Sequence, residues 1–208
     1  MTLLLQADIV SLEFNGNWWR FSNFRILSAD GRDLGRIEEI GIHGLGRYPI
    51  GAFVGAFEGL RRHAYHVTDA QGSVIVRASG SGAWFRVRGA VLDPEGGLIA
   101  RVQQAKTIGP HRFSVTDSRG RAVGIIERSA KMRHAFALSR GPGWLIALAY
   151  PVGTHRWYPS LFMSYRIEFQ PSAGPTDRMI VLGAFALLYG PLVGAKLPVP
   201  PYWTRRRP

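Results

Sequence analysis

The chain has 208 residues, enough for one large domain or two small ones, and 46 % of them are hydrophobic against 19 % charged. That balance excludes an intrinsically disordered chain. There is no cysteine, which excludes disulfide bridges and thiol chemistry.

The net charge of +12 comes from 26 basic and 14 acidic residues, and it favours an anionic partner such as lipid headgroups, nucleic acid or a phosphorylated ligand. The charge is uneven, at −2 over Met1–Gly46 and +14 over Arg47–Pro208. Only three of the basic residues are lysine, so Arg-favouring codon usage is an alternative explanation. The N-terminus has no basic n-region, so no signal peptide is expected. We expect a cytoplasmic protein with peripheral attachment to a membrane.

Two strands are predicted first, at Ala7–Phe14 and Trp18–Leu27, on either side of Asn15-Gly16. This dipeptide is a strong hairpin signal because both residues tolerate positive φ.

A short repeat then begins. Phe24–Gly31, Tyr65–Gly72 and Phe113–Gly120 each place an aromatic residue seven positions before a glycine, and Val91–Gly96 is a shorter fourth copy. An Asp at the start of such a turn can bond its own backbone, and the glycine takes positive φ. A small residue or valine follows the glycine by four positions in the three full copies: Gly35, Val76 and Gly124.

Each copy therefore predicts a β-hairpin. Hairpins at near-regular spacing indicate a meander that closes into a barrel or a sandwich. Arg47–Arg62 (RYPIGAFVGAFEGLRR) interrupts this rhythm and is interpreted as a buried loop or short helix. Trp144–Tyr150 (WLIALAY) is predicted to be a strand buried on both faces, and Met163–Phe169 (MSYRIEF) an alternating strand.

A helix with no polar face is predicted near 177–195, since no charge occurs from Met179 to Ala195. Such a helix must be surrounded by protein or by lipid. We expect Gly190-Pro191 to break it, leaving a helix of roughly 20 Å, short for a hydrocarbon core of about 30 Å. A helix buried in protein is therefore favoured, although Arg205–Arg207 would also suit the flank of a membrane anchor. Residues 1–197 are interpreted as one domain and 198–208 as an extended tail.

Strands that end in an Asp-x-x-Gly turn, followed by one apolar helix near the C-terminus, resemble the tubby-like superfamily, in particular the phospholipid scramblases and the LURP-one-related proteins. The resemblance lies in Tyr65–Gly72, Val91–Ala100, Phe113–Arg128 and Met163–Leu197. It implies a closed antiparallel β-barrel of about twelve strands around the buried C-terminal helix. It also implies binding of lipids or phosphoinositides, with links of some members to transcription or defence.

No enzyme is predicted, because no nucleophile elbow, Walker loop or Rossmann glycine pattern occurs. No cofactor or metal site is predicted either. His63 and His66 would point to opposite faces of a strand, and Glu38 and Glu39 likewise. The acidic calcium segment of scramblases is reduced here to Glu168 and Asp177, too few oxygens for calcium.

The candidate binding residues are basic. In Trp84-Phe-Arg-Val-Arg88, period two places Trp84, Arg86 and Arg88 on one face of a strand, and Lys131 and Arg133 share a face in Lys131–Leu138. Arginine forks suit phosphate oxygens, and a tryptophan beside them suits a headgroup boundary. An ordinary solvated outer face is the alternative interpretation.

We therefore expect a non-enzymatic module that binds anionic, phosphoinositide-like headgroups at a cytosolic membrane surface. A nucleic-acid or transcription-associated binder that uses the same residues is the first alternative. A scramblase-like membrane protein, in which the helix meets lipid, is the second.

Overall fold

A computed structural model of the chain describes residues 2–14, 23–40, 62–83, 86–105, 112–128, 135–141, 143–154 and 163–194. These residues form twelve β-strands, a 3-10 turn at Leu3–Leu5 and one long helix, α1, at Pro175–Gly194. The strands are β1 Ile9–Phe14, β2 Phe24–Ser28, β3 Asp33–Ile40, β4 Arg62–Asp69, β5 Val74–Ala83, β6 Arg86–Leu92, β7 Leu98–Gln104, β8 Arg112–Asp117, β9 Ala122–Arg128, β10 Phe136–Ser139, β11 Leu145–Thr154 and β12 Met163–Phe169.

The strands close into a single antiparallel barrel. Each strand pairs with its sequence neighbours, and β1 pairs with β12, with Val10 opposite Ile167. Closure gives every strand two hydrogen-bonded neighbours and leaves no open sheet edge. The predicted twelve-stranded closed barrel is confirmed, and the alternative of a sandwich is wrong.

Apolar and polar residues alternate along the strands, and the apolar side chains fill the interior of the barrel. In β1, Val10 and Leu12 are fully buried while Glu13 is exposed, and in β3 Ile37 is fully buried while Glu38 is exposed. This period of two places apolar side chains inside and polar ones outside. In β11, however, Leu148 and Tyr150 are only half-buried. The prediction that this strand is buried on both faces is therefore wrong, because its outer face meets no second layer among the described residues.

The repeated turns have the predicted chemistry. Gly31, Gly72, Gly96 and Gly120 have φ between 77° and 94°. The side chain of the first turn residue accepts backbone N–H bonds, as Asp117 Oδ1 does from residues 119 and 121 at 2.9 Å. In the first copy Ser28 replaces the aspartate, and its Oγ accepts the N–H of residue 32 at 3.0 Å. These local bonds explain why the same few residues recur in the sequence.

A fifth turn of this kind joins β10 to β11, and the sequence analysis missed it. Gly143 has φ 82°, and the N–H of Arg140 donates to the carbonyl of Trp144 at 2.9 Å. Arginine stands at the position that aspartate takes in three of the other turns. The turn was missed because Arg140 forms no Asx-type bond and therefore carries none of the usual signal.

Helix α1 lies inside the barrel. Residues 180–188 are all buried, and Leu182 is fully inaccessible, so every face of this stretch is covered by the sheet. The prediction of a helix buried in protein is confirmed. Among the helices of the described ranges, none combines the length and the apolar character that a membrane span needs.

The helix differs from its predicted bounds at both ends. It begins at Pro175, where the missing N–H and fixed φ of proline suit a first helical residue. Asp177 is then in the first turn and accepts the N–H of Gly174 at 3.0 Å. The expected break at Gly190-Pro191 is wrong, because the helix continues to Gly194. A glycine before the proline removes the Cβ that would otherwise meet the proline ring.

Arg178 fixes the start of the helix to the N-terminal segment. Its guanidinium donates to the carbonyl of Ala7 and, at 2.8 Å, to the carboxylate of Asp8, while its Nε donates to the carbonyl of Ala173 at 3.1 Å. The guanidinium carbon also lies 4.8 Å from the ring centroid of Phe169. Although this arginine is 95 % buried, these bonds and the aromatic contact replace its lost hydration.

The helix packs most closely against β5 and β6, because on each side of this contact a glycine leaves room for a branched apolar side chain of the other element. A Cβ at Gly183 of the helix would lie 2.7 Å from a methyl of Val91, and one at Gly89 would lie 2.6 Å from a methyl of Leu187. On the β9–β12 side an apolar cavity of about 40 Å³ remains between helix and sheet. Close contact on the β5–β6 side means that the helix supports the sheet from inside at these two strands.

Three predicted features lie outside the described residues: the Asn15-Gly16 turn, residues 47–61, and the tail 198–208. Phe14 pairs with Phe24, so nine residues separate the paired ends of β1 and β2. A two-residue turn at Asn15-Gly16 does not join these ends directly.

Candidate anionic-ligand site

Four neighbouring strands place small residues and arginines in register on the outer wall of the barrel. Ala64 of β4 lies opposite Ser79 of β5, Ser79 opposite Ala90 of β6, and Ala90 opposite Arg101 of β7. Adjacent strands are about 4.8 Å apart, so this row covers roughly 14 Å. Arg88 stands in the next row, two residues from Ala90 and on the same face.

Three arginines of this wall, Arg77, Arg88 and Arg101, are exposed. Arg77 is two residues from Ser79 and shares its face. We call these three residues the basic wall. Within the described ranges, no carboxylate forms an ion pair with any of the three, whereas other arginines of the barrel surface do have such partners: Arg25, Arg32, Arg112 and Arg121.

A concavity of about 470 Å³ lies on this part of the wall. The alanine and serine side chains are too short to fill the space above the sheet, and the longer arginines stand at its margin. Its lining includes Ala64, Ser79, Ala90, Arg88 and Arg101. The volume is in the range of small-molecule sites. Unpaired guanidinium groups beside a shallow, small-residue floor suit a phosphate or carboxylate group.

The floor is supported from inside. Gly80 and Gly89 are paired across β5 and β6, and a Cβ at Gly80 would lie 2.9 Å from a methyl of Leu187. The buried helix is therefore in direct contact with the inner side of this floor. Because the packed core is close to incompressible, this contact helps to hold the strands that carry Arg88 and Arg101 at a fixed spacing.

His66 lies beside the basic wall, opposite Arg77 on β5 and Glu38 on β3. Burial, followed by the charge of Arg77, lowers the pKa of His66 below its ordinary value of 6.5, against the opposing effect of Glu38. The folded protein therefore binds fewer protons at His66 than the unfolded chain does. The contribution of His66 to stability is fully present above pH 6.5, is lost as the pH is lowered from this value towards the folded pKa, and does not change further below it.

We therefore expect His66→Gln to reduce the acid sensitivity of the fold. The measurement is the urea midpoint of wild type and variant at one pH above and one below 6.5. The loss of stability on acidification should be smaller in the variant, because glutamine does not titrate. An equal loss in both proteins would contradict the assignment.

Of the five predicted binding residues, the structure places Arg88 on the basic wall. Arg86 is the first residue of β6, and Trp84, Lys131 and Arg133 lie outside the described residues. Sequence reasoning missed Arg77 and Arg101. Each alternates with buried neighbours, as Arg101 does with Ala100 and Val102, but alternation alone does not show which strands lie side by side.

The histidine and glutamate pairs behave as predicted. Glu38 points outward, whereas Glu39 points inward and its Oε1 accepts a 2.7 Å hydrogen bond from His63 Nδ1. The His63 ring stacks on Tyr65, with centroids 6.2 Å apart. In the parts of the chain that the structure describes, no three His, Asp or Glu side chains form a group that could hold a metal ion.

No protein-family model matches the chain, and neither does any curated protein. An X-ray structure of a protein from Arabidopsis thaliana is similar to it, with a TM-score of 0.50 and 13 % sequence identity. The match covers 88 % of this chain and 91 % of that one. At this identity the similarity supports the barrel fold alone.

Proposed function

We propose that the chain is a non-enzymatic module that binds anionic phospholipid headgroups, phosphoinositide-like in their charge, through the basic wall. The observation that carries the proposal is that Arg88 and Arg101 line a floor of small side chains and form no ion pair among the described residues. Arg77, which also forms none, lies two residues from Ser79 on the same face. In this proposal a phosphate enters the concavity and accepts hydrogen bonds from Arg88 and Arg101. Guanidinium forks bind phosphate oxygens in two-pronged fashion.

Attraction to an anionic surface supplies the rest of the affinity. Each basic residue near such a surface contributes about 1 kcal/mol, and the effect decays within a Debye length of about 8 Å at physiological salt. Arginines that already pair with a carboxylate contribute less. The arginines of the basic wall, which have no such partner among the described residues, are for this reason expected to contribute more than the paired ones.

We also propose membership of the tubby-like superfamily. A closed twelve-stranded barrel, an apolar helix inside it and repeated Asp–Gly turns support this assignment. The lipid binding that the resemblance implies agrees with the basic wall. We do not propose a scramblase-like role for the helix, because residues 180–188 are covered by the chain's own sheet.

The test is flotation of the full chain with vesicles of phosphatidylcholine alone, with added phosphatidylserine, and with added phosphatidylinositol phosphates. A DNA gel shift at low and high salt is run beside it. Binding to the anionic vesicles only, with weakening by salt, is the expected result. Binding to DNA without binding to vesicles would replace the proposal with the nucleic-acid alternative, and binding to neither would remove both.

A further inference from the structure

The most exposed large apolar side chain among the described residues is Trp144, which is 68 % accessible. It stands at the end of the β10–β11 turn, next to Gly143. Tryptophan is usually buried or sits at an interface, because its ring is mostly apolar and its N–H is polar. Trp144 therefore presents to solvent a large ring of the kind that sits at interfaces.

The turn fixes the backbone of Trp144. The Trp144 N–H donates to the carbonyl of Gly141 at 3.1 Å, and the Trp144 carbonyl accepts the Arg140 N–H at 2.9 Å. The Arg140 guanidinium in turn donates to both oxygens of buried Asp177, at 2.7 and 2.8 Å. The exposed ring is thus connected through one ion pair to the first turn of the buried helix.

Trp144 lies at the end of the barrel that also carries arginines on a neighbouring turn. Residues 139–144 contain no acidic side chain. The preceding hairpin of the barrel ends in the turn that carries Arg119 and Arg121, both exposed. Arg121 pairs with Asp117 at 2.8 Å, and no ion pair of Arg119 occurs among the described residues. An exposed tryptophan on one turn and arginines on the next turn at the same end of the barrel suit an anionic bilayer surface, in which tryptophan concentrates at the headgroup level.

A row of the sheet connects this turn to the basic wall. Arg88 lies opposite Gln103, Gln103 opposite Ser114, Ser114 opposite Ile125, and Ile125 opposite Ser139, which adjoins Arg140. Four strand spacings of about 4.8 Å place the two ends of this row on the order of 19 Å apart. Strands in a barrel tilt by about 35–45° to its axis, so a row of paired residues that runs across the strands also moves along the axis. This row leads from the basic wall to the end of the barrel that carries the β10–β11 turn.

We propose that Trp144 is an interfacial anchor that enters the headgroup layer of an anionic bilayer while the basic wall binds its phosphates. This inference rests on the proposed function and adds to it the orientation of the barrel on the membrane. In this orientation the bilayer contacts the outer face of strands β5 to β10 at the end of the barrel that carries the β8–β9 and β10–β11 turns. The β2–β3 turn, on the far side of the barrel, stays in water.

The test uses the full chain and the absence of cysteine, which allows a single dye to be attached at a chosen position. Trp144→Cys and, as a control at the same end of the barrel, Ala29→Cys each receive an environment-sensitive fluorophore. Vesicles of phosphatidylcholine and phosphatidylserine contain a lipid quencher at the headgroup–acyl boundary. The dye at position 144 should be quenched and the dye at position 29 should not.

Unlabelled Trp144→Ala should bind these vesicles about tenfold more weakly, because partial burial of one large apolar side chain is lost. Trp144→Tyr should stay close to wild type. Neither change alters the charge, so the salt dependence should be unchanged. Salt-sensitive binding with an unquenched dye at 144 and full affinity of Trp144→Ala would overturn the anchor while the headgroup site stands. Failure of wild type to bind any anionic vesicle would overturn both.

Discussion

Replacing both Arg88 and Arg101 by glutamate is expected to weaken binding to anionic vesicles by a factor on the order of 10²–10³. The double reversal changes the local charge by four, and each unit near an anionic surface contributes about 1 kcal/mol. Both side chains line the concavity and have no carboxylate partner within the described ranges. Binding is measured by flotation at several salt concentrations, and the variant should also lose most of the salt dependence.

The matched control is Arg25→Glu with Arg32→Glu. It changes the net charge by the same amount, but both arginines lie on the β2–β3 hairpin and already have aspartate neighbours, at 2.9 Å from Arg25 and 3.7 Å from Arg32. Exposed pairs of this kind contribute about 0–1 kcal/mol to stability, so the fold is retained. An equal loss of affinity in the two variants would mean that net charge, and not the basic wall, governs binding.

The comparison of the two double variants also separates the interpretations of the positive charge. If the positive charge reflects composition alone, the effect of replacing an arginine on vesicle binding should not depend on where that arginine lies on the barrel. If the basic wall is a binding site, the loss of vesicle affinity should occur when Arg88 and Arg101 are replaced and not when Arg25 and Arg32 are. The same proteins in a DNA gel shift show whether the wall favours headgroups or the phosphate backbone, since both ligands present the same oxygen chemistry.

The local structure of this chain follows from its sequence, and the shared turn chemistry shows why. Asp69, Asp93 and Asp117 each bond to backbone amides within four residues, so their effect needs no distant partner. The helix is similar. An uncharged stretch must be surrounded, and the strands that precede it in the chain provide the sheet that surrounds it. In both cases the information is contained in a short segment.

The site was harder to predict, because it depends on register. Arg101 lies near Arg88 only because β6 and β7 pair in the register that puts Ala90 opposite Arg101. The hydrophobic pattern shows which residues point inward and outward, but it does not show the register between two strands. Trp144 is a second example. It was assigned to a buried strand as the first residue of an apolar run, but β11 begins after it, at Leu145.

Gly35→Ala is expected to have the largest effect on stability, about 3 kcal/mol or more. Gly35 is the small residue that follows the first turn glycine by four positions. Its φ is 150°, and a Cβ there would lie 1.9 Å from the carbonyl oxygen of Thr68 on β4. That neighbour is backbone and cannot rotate away, so the strands β3 and β4 would have to separate. Strain at a glycine-specific conformation and overpacking each cost about 1–3 kcal/mol.

Gly31→Ala is the matched control, because Gly31 lies in the same hairpin, has φ of 81° and has no atom within 4 Å of the position of a Cβ. It should cost only the left-handed penalty of about 1–2 kcal/mol. Alanine restricts the unfolded chain to the same extent in both variants, so the difference between their urea unfolding free energies reports the contact with Thr68 together with the different backbone strain of an alanine at φ 150° and at φ 81°. Equal destabilisation of the two variants would show that Gly35 is required only for its backbone angles, and that the close approach of β3 and β4 at this point does not constrain the barrel.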